Sequence, residues 1–486
     1  MKKRLRIIPI LLIIAAFLCS PFFAFAFTEE GEAEVPLLQE GDYEILDAPV
    51  ISHLGKYGET AEQYLYAELL SHSSDINMAR FSISCDDVSA FYSDVINDHP
   101  DLFFVSSTVK YNYYPSTNCV SHIFPFYVYD EQETETALEE FQRGTQRALE
   151  EVNADMSDEQ KAMVLHDYIC TEGIYPTVKN EDDEDYTPEL ADREIYHSAY
   201  VFFHNKVVVC AGFTLTYSYL LSMVGIDSTY VASDTMHHAW NKIKIGGNWY
   251  NCDLTFDNFD TGTDINNYGS VRHAYFMKSD SYFEGDDGAY HFGGITYDDC
   301  DSTSDAYDIA FWNDVNSRIY SFGGCYYYLD STSTYYSAKL VKRELNGDET
   351  QLGSLFNTSR LRYRGYRYDE QDNPHEYSFY DTLIRLAFLD NRFYVYNAQK
   401  IYSVLFDGTV YDITTVNEYT GGFGVNEDNN LVYQYYNDDT VRVLDKAVFF
   451  ENNITDTGGG YNNYPDINLD GFVNAKDYAY ILKQGG

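Results

Sequence analysis

One stretch of this chain limits its fold more than any other. From Lys206 to Thr255 it reads "KVVVC", "AGFTLTYSYLLSMVGI", "STYVAS" and "HAWNKIKIGGNWYNCDLT", with few residues between them. The first segment has the β-branched composition of a strand. In the second, Phe213, Tyr217, Leu220 and Val224 recur at helical spacing, and Gly225 is placed to end the helix. The last two alternate as strands, with Gly246-Gly247 as a hairpin turn. A strand running into a helix and followed by a hairpin makes this region α+β.

Three side chains in that stretch belong to one chemistry. Cys210 stands where the strand meets the helix, and the amide N–H groups and dipole at a helix start favour a thiolate. His238 heads the first hairpin strand and Asp253 lies on the return strand. With Gly246 and Gly247 as the central turn residues, His238 falls opposite Thr255, and Asp253 becomes its diagonal neighbour on the same face. A carboxylate there orients the imidazole while the other ring nitrogen faces the thiol, the nucleophile–base–orienter logic of thiol acyl transfer. A cysteine opening a helix is by itself more often packing. The ordered cysteine, histidine and aspartate segments give it a chemical role. Adjacent strand residues point to opposite faces, so His238 rather than His237 has the parity of Asp253, and Cys252 reads as inward packing.

The segments "VVCAGFTLTYSYLLSMVGI" and "HHAWNKIKIGGNWYNCDLTFDN", in this order and spacing, resemble the transglutaminase-like cysteine enzymes of the papain-like group. The resemblance covers roughly 155–260 and implies Cys210 as nucleophile, His238 as base and Asp253 as orienter. It implies no cofactor for catalysis, and a protein or peptide amide as substrate. Leu254 stands where that family usually has proline, and Phe256 where it often has tryptophan; neither removes a catalytic group.

The N-terminus places this chemistry outside the cell. Lys2, Lys3, Arg4 and Arg6 precede the apolar run Ile7 to Leu18, and Ala24-Phe25-Ala26 offers a cleavage site. That is a signal peptide over 1–26, the alternative being a retained anchor for which the apolar run is short. With 77 Asp+Glu against 32 Lys+Arg, the chain carries −45, which sets aside nucleic-acid backbones and anionic membranes as partners. After signal removal seven cysteines remain, with no CxxC pair, so a zinc site is not expected, and the odd count leaves at least one thiol without an intrachain partner.

Near the C-terminus, "DINLDGFVNAKD" places calcium-ligating oxygens at Asp466, Asn468, Asp470 and Asn474, a backbone carbonyl at Phe472, and Asp477 at the loop's end. Gly471 permits the sharp turn. This loop and the following "YILK" resemble a dockerin repeat, which implies a cohesin-bearing scaffold as partner. A dockerin normally carries two repeats and one is present here, so the module is either half-length or serves another attachment.

The remaining segments complete the organisation. "DDVSAFYSDVINDHP" predicts a helix with Asp86-Asp87 in its first turn, and residues 132–153 and 157–170 predict two more, the second opened by a Ser157/Gln160 capping box. From about Asp305 the chain is aromatic, alternating and strand-like. Asn346-Gly347 and Asp407-Gly408 look like equivalent turns, as in a partial propeller or a sandwich. Many of the 48 tyrosines fall here, where β-propensity and packing explain them better than ligand stacking. The expected fold class is thus α+β: a papain-like, transglutaminase-type core, an all-β aromatic region and a small EF-hand-like dockerin motif. The expected boundaries are 1–26 signal peptide, 27–154 α+β extension, 155–300 catalytic domain, 305–450 β-rich region, 451–464 linker and 465–486 calcium motif. The sequence reads as a secreted acyl-transfer enzyme. The alternative is a non-catalytic ligand-binding component of a cell-surface or cellulosome-type assembly.

Overall fold

The computed structural model describes residues 59–175, 197–233, 236, 238–258, 270–284, 291, 300–334, 336–358, 360–368, 374–397, 400–415, 420–426, 428–435 and 440–444. The expected signal peptide (1–26), linker (451–464) and calcium motif (465–486) lie outside the described residues. No described helix is long and apolar enough to cross a membrane.

The chain opens with helix α1 (Glu59–Leu70), the short strand β1 (Ile76–Asn77), helix α2 (Val88–Asp98), and strands β2 (Val105–Tyr114) and β3 (Cys119–Tyr127). The strands form an antiparallel sheet ordered β1-β3-β2. The helices and this sheet share a core that includes Leu65, Ile76, Phe91, Tyr92 and Ile123. Helix α2 begins at Val88, two residues later than the acidic pair Asp86-Asp87 suggests. Asp87 is its N-cap and its first turn holds no acidic residue, while Pro100 follows its end as expected.

Helices α3 (Glu131–Leu149) and α4 (Asp158–Glu172) both open with complete capping boxes. In α4, Ser157 Oγ accepts from Gln160 N and Gln160 Oε1 accepts from Ser157 N. Together these bonds satisfy two amides that a helix start otherwise leaves open. Helix α5 (Ala199–Asn205) leads into the central helix α6 (Cys210–Met223), which Val224 ends and Gly225 follows at φ +77°. The expected apolar face of α6 is buried at Phe213, Tyr217 and Leu220. Its first turns are buried more widely, at Cys210, Ala211, Gly212, Thr214 and Thr216. The helix is enclosed because α4 and α5 pack against it, as do strands β4 (Ser228–Ser233) and β5 (His238–Ile245). Strand β6 (Asn248–Cys252) completes an antiparallel sheet ordered β4-β5-β6. Gly246 and Gly247 turn the β5–β6 hairpin at φ +58° and +87°, the pair of positive φ angles that a type I′ turn needs.

After the one-turn helices α7 (Leu254–Asp257) and α8 (Asp280–Phe283), the described chain is β only. Strands β7 (Tyr320–Phe322), β8 (Cys325–Thr334), β9 (Ser337–Glu344) and β10 (Glu349–Asn357) form one antiparallel sheet. Strands β11 (Arg360–Tyr368) and β12 (Pro374–Thr382) form a hairpin. A meander follows, built from β13 (Ile384–Leu389), β14 (Arg392–Asn397), β15 (Lys400–Val404) and β16 (Val410–Thr415). It is followed by a three-stranded sheet of β17 (Thr420–Val425), β18 (Leu431–Tyr435) and β19 (Arg442–Val443). These are separate antiparallel sheets, and the described strands close no barrel.

The two turns singled out in the sequence share one geometry. Gly347 N donates to Glu344 O and Glu344 N to Asp348 O; Gly408 N donates to Leu405 O and Leu405 N to Thr409 O. A third copy, in which Asn429 N donates to Asn426 O and Asn426 N to Asn430 O, uses Asn429 at φ +55° where the others have glycine. Each is a tight turn closed by a left-handed residue.

The core around α6 continues beyond the hairpin. Phe141, Leu165, Phe202, Phe213, Tyr217 and Ile243 pack in one cluster with Trp312, Val315, Ile319, Tyr326, Tyr328 and Val341. The approach of α3 to α5 depends on Gly144, where an added Cβ would lie 2.5 Å from Phe203 Cδ1 and 2.6 Å from its Cβ. Gly144→Ala is therefore expected to destabilise the protein by about 1–3 kcal/mol through overpacking, despite alanine's better helix propensity. A urea midpoint unchanged or raised would contradict the close approach.

Candidate active site

Cys210 is the first residue of α6, reached through Val209, whose extended backbone caps the helix. Its side chain is buried in a small cluster with Ala211 of α6, Tyr230 and Ala232 of β4, and Ala239 of β5. Ala239 is the neighbour of His238, so the thiol and the imidazole arise from adjoining elements. A buried clamp keeps those elements in register: Asn241 Nδ2 donates to Thr214 O (3.0 Å) and to Ser218 Oγ (2.8 Å), tying β5 to α6. The asparagine of "HAWN" is thus a strut between the strand that carries the histidine and the helix that carries the cysteine.

His238 Nε2 lies 2.7 Å from Asp253 Oδ2. Because an ionised carboxylate only accepts hydrogen bonds, Nε2 carries the proton, and in the neutral ring Nδ1 keeps its lone pair. The route by which Asp253 reaches His238 differs from the expected one. The hairpin register holds from Ile245↔Asn248 to Asn241↔Cys252, and pairing stops there. Thr255 therefore does not oppose His238. Instead Asp253 N donates to Tyr275 O, and Asp253 becomes the N-cap of α7, its Oδ1 accepting from Phe256 N at 3.0 Å. The carboxylate caps a helix with one oxygen and holds the histidine with the other. Cys252 is fully buried and accepts from Met277 N, as its inward parity suggests, and burial pushes its thiol up to about 12. His237 lies outside the described residues.

Two further features escaped the sequence reading. Phe256 lies over the His238 ring, centroids 4.8 Å apart and planes 18° from parallel, which gives the aromatic at that position a packing role. The second is His291, whose Nε2 lies 2.8 Å from the same Asp253 Oδ2. Asp253 is completely buried. Burial alone would raise its pKa, but His238 and His291 more than offset this and hold the carboxyl below the ordinary carboxylate range.

A second polar cluster lies beneath the first. Asp167 Oδ1 is 2.9 Å from both His166 Nδ1 and His273 Nε2, while Asp167 Oδ2 accepts from Ile319 N. His166 Nε2 is 3.2 Å from Asp257 Oδ2, and His273 Nδ1 is 2.8 Å from Val315 O. All four side chains are completely buried. Cys170 lies 3.6 Å from His166 Nε2 and forms a second Cys–His pair, but its setting is structural. Its thiol donates to Leu254 O, both ring nitrogens of His166 face carboxylates, and burial pushes the thiol up to about 11. The sequence signal was the His-Asp pair inside the apolar helical run "MVLHDYIC".

Among the described residues, two groups have metal-ligand chemistry, His166/Asp167/His273 and His238/Asp253/His291. In both, one carboxylate oxygen lies 2.7–2.9 Å from two imidazole nitrogens. Those are hydrogen-bond separations, shorter than the roughly 3.3 Å between ligands tetrahedral about an ion with ~2 Å bonds. The expected calcium ligands lie outside the described residues.

A model of the Transglutaminase-like superfamily matches residues 146–254, and this part of the chain is a transglutaminase-like domain. The match takes in α4, α5, α6, the β4-β5-β6 sheet, and Cys210, His238 and Asp253. A solved structure described as "Crystal structure of a TGase" aligns at 10% identity with a TM-score of 0.22, over 31% of this chain and 44% of that one. The chain thus spans less than half the length of that structure, and a likeness so slight carries no argument. No curated protein matches the chain.

The lower cluster makes a pH-dependent contribution with a definite sign. Burial would raise Asp167, but His273 and His166 hold it below the carboxylate range, so its stabilisation is present above the unfolded value of about 3.9 and fades as pH falls through the depressed native value. Burial would lower His166, but Cys170, Asp167 and Asp257 raise it well above the usual value. Its contribution is complete below about pH 6.5 and is lost as pH rises through the raised native value. Asp167→Asn is therefore expected to cost about 3–5 kcal/mol at pH 6, with the gap to wild type closing below about pH 4. Urea unfolding across pH measures both, and a gap constant with pH would refute the assignment.

Proposed function

We propose that the protein is a secreted thiol enzyme that transfers acyl groups from protein or peptide amides. In this reading Cys210 is the nucleophile, His238 the general base and acid, and Asp253 the orienter. The observation that carries it is the buried His238–Asp253 hydrogen bond beside the helix that Cys210 opens, within the stretch matched by the Transglutaminase-like superfamily model. His238 Nδ1 takes the thiol proton and Cys210 Sγ attacks the amide carbonyl. The oxyanion forms near the open amide groups at the start of α6, among them that of Cys210. The imidazolium then protonates the departing amine as the C–N bond breaks, leaving a thioester on Cys210. Water, activated by the same imidazole, releases the acid and frees the thiol; an amine in place of water gives a new amide. Hydrolysis is the favoured outcome, because water is always present as an acceptor.

Labelling with an iodoacetamide probe, mapped by mass spectrometry, tests this directly. Cys210 is expected to label at pH values well below the ordinary thiol pKa of about 8.5, and to lose that reactivity in His238→Ala. If Cys210 labels no faster than the other cysteines, the enzyme reading fails and a non-catalytic ligand-binding component takes its place.

The C-terminal loop completes the proposal. Asp466, Asn468, Asp470, Asn474 and Asp477, with the Phe472 carbonyl, form a structural calcium site in a dockerin-like module that attaches the protein to a cohesin-bearing scaffold. Calorimetric titration of the full chain with calcium is expected to show a saturable site that Asp470→Ala removes. Equal heats from the two proteins would sink the assignment, whatever the acidic surface binds.

A further inference from the structure

His291 lies well beyond the matched stretch, yet its ring meets the carboxylate that orients His238. Its placement is over-determined. Its backbone N–H donates to Phe283 O at 3.0 Å, at the end of α8. Its ring stacks on Phe283 with centroids 4.1 Å apart and planes 28° from parallel. The ring also meets Trp240 at 4.9 Å and 70°, and packs 5.0 Å from Phe256. Trp240 is fixed in turn, its Nε1 donating to Asn251 Oδ1 at 3.0 Å. An imidazole held on several sides by aromatic rings, with one nitrogen 2.8 Å from a buried carboxylate oxygen, is more constrained than space-filling requires.

We infer that His291 is a positioning residue for the His238–Asp253 pair; the inference rests on the acyl-transfer reading above. Three donors hold the Asp253 carboxylate. Oδ1 accepts from Phe256 N, and Oδ2 accepts from His238 Nε2 and His291 Nε2. Phe256 N and His291 together fix the carboxylate plane without using His238, so the remaining acceptor direction is set before His238 turns over a proton. Without His291 the carboxylate keeps one fixed donor and rotates about it, and His238 loses its orienter rather than its charge partner. Among the described residues, Asp253, His238 and Tyr275, whose ring centroid is 6.0 Å away, are the titratable groups that face the His291 ring; Phe283, Trp240 and Phe256 supply its other walls.

Three variants separate this role from packing. His291→Phe keeps the ring and removes the donor, His291→Leu removes both, and His291→Gln keeps an N–H donor of similar reach. Two measurements are made on the full chain: the downfield proton resonance of His238 Nε2–H, identified by its loss in His238→Gln, and the pH profile of Cys210 alkylation. Removing the donor is expected to broaden or abolish the resonance. It is also expected to slow alkylation roughly tenfold at pH 7 and to move the rising limb of the profile upward by about one unit. His291→Gln is expected to stay within about twofold of wild type. The inference is overturned if His291→Phe and His291→Leu keep the resonance and the profile. It is also overturned if the limb moves downward, which would make His291 a competitor for the carboxylate, or if Gln is as damaged as Phe. Stoichiometric transition metal in the wild type that every His291 variant loses would make it a ligand and refute positioning. If Cys210 is unreactive even in wild type, the acyl-transfer reading fails, while the resonance still decides the role of His291.

Discussion

A carboxylate out of reach of water needs partners for both oxygens, and the candidate site is organised around two that have them. Asp253 and Asp257 stand at the two ends of a single helical turn, and both are completely buried. Asp253 accepts from Phe256 N, His238 and His291. Asp257 faces His166 and accepts the Tyr275 amide. The turn between them is too short to be stable alone. It is held by what its end residues bind, so the orientation of the His238 ring depends on the buried cluster beneath it as well as on its own hydrogen bond. Removing one partner from such an arrangement leaves a buried group unsatisfied, which is why its members act as a unit.

The sequence exposed the parts of this site that local patterns govern. The apolar face of a helical run located Cys210 at the start of α6, although the strand expected before it is only an isolated bridge of Val207 with Ile174; two adjacent glycines fixed the hairpin register as far as Cys252. The Ser157/Gln160 box marked the start of α4 correctly. The structure departs from that register only where β6 ends, because Asp253 leaves the strand to cap a helix. An aspartate followed by a short polar–aromatic run is equally a helix cap, and the bond to Phe256 N decides between the two. His291 and His273 were not legible, since neither lies in a periodic segment near its partner. Asp253 and Asp167 meet them through tertiary folding across 38 and 106 positions. His166 and Asp167 could have been flagged, because two adjacent polar residues inside a buried helix must have partners somewhere.

The excess of acid over base has a structural counterpart in the tyrosines. With 77 acidic and 32 basic residues, many carboxylates cannot have a lysine or arginine partner. Tyrosine hydroxyls supply donors as well: Tyr66 to Asp101, Tyr200 to Glu140, and Tyr307 and Tyr326 to the two oxygens of Glu159, while Tyr328 joins Arg343 on Glu349. Burial, reinforced by the adjoining carboxylate, holds each of these phenols above the ordinary tyrosine range, so each remains a protonated donor. Such a tyrosine, on a helix, a strand or a turn, does two jobs that an exposed cation cannot combine. Its ring fills a core and its hydroxyl satisfies an acid at the edge of that core.

The two bonds to Glu159 also join the β-rich region to the helices. Glu159 and Gln160, in the first turn of α4, are gripped by Tyr307, Tyr326 and Ser321. Further along α4, Asp167 takes the Ile319 amide, and His273, which shares Asp167 Oδ1 with His166, is bonded to Val315 O. The lower His–Asp cluster is therefore closed by chain that follows the matched family stretch, and that cluster holds the far end of the turn that begins at Asp253. A transglutaminase-like domain cut at the edge of the match would keep Cys210, His238 and Asp253 but lose the groups that bury and complete the support beneath them. Residues from Tyr307 to Tyr326 thus belong to the support that holds the candidate site in place.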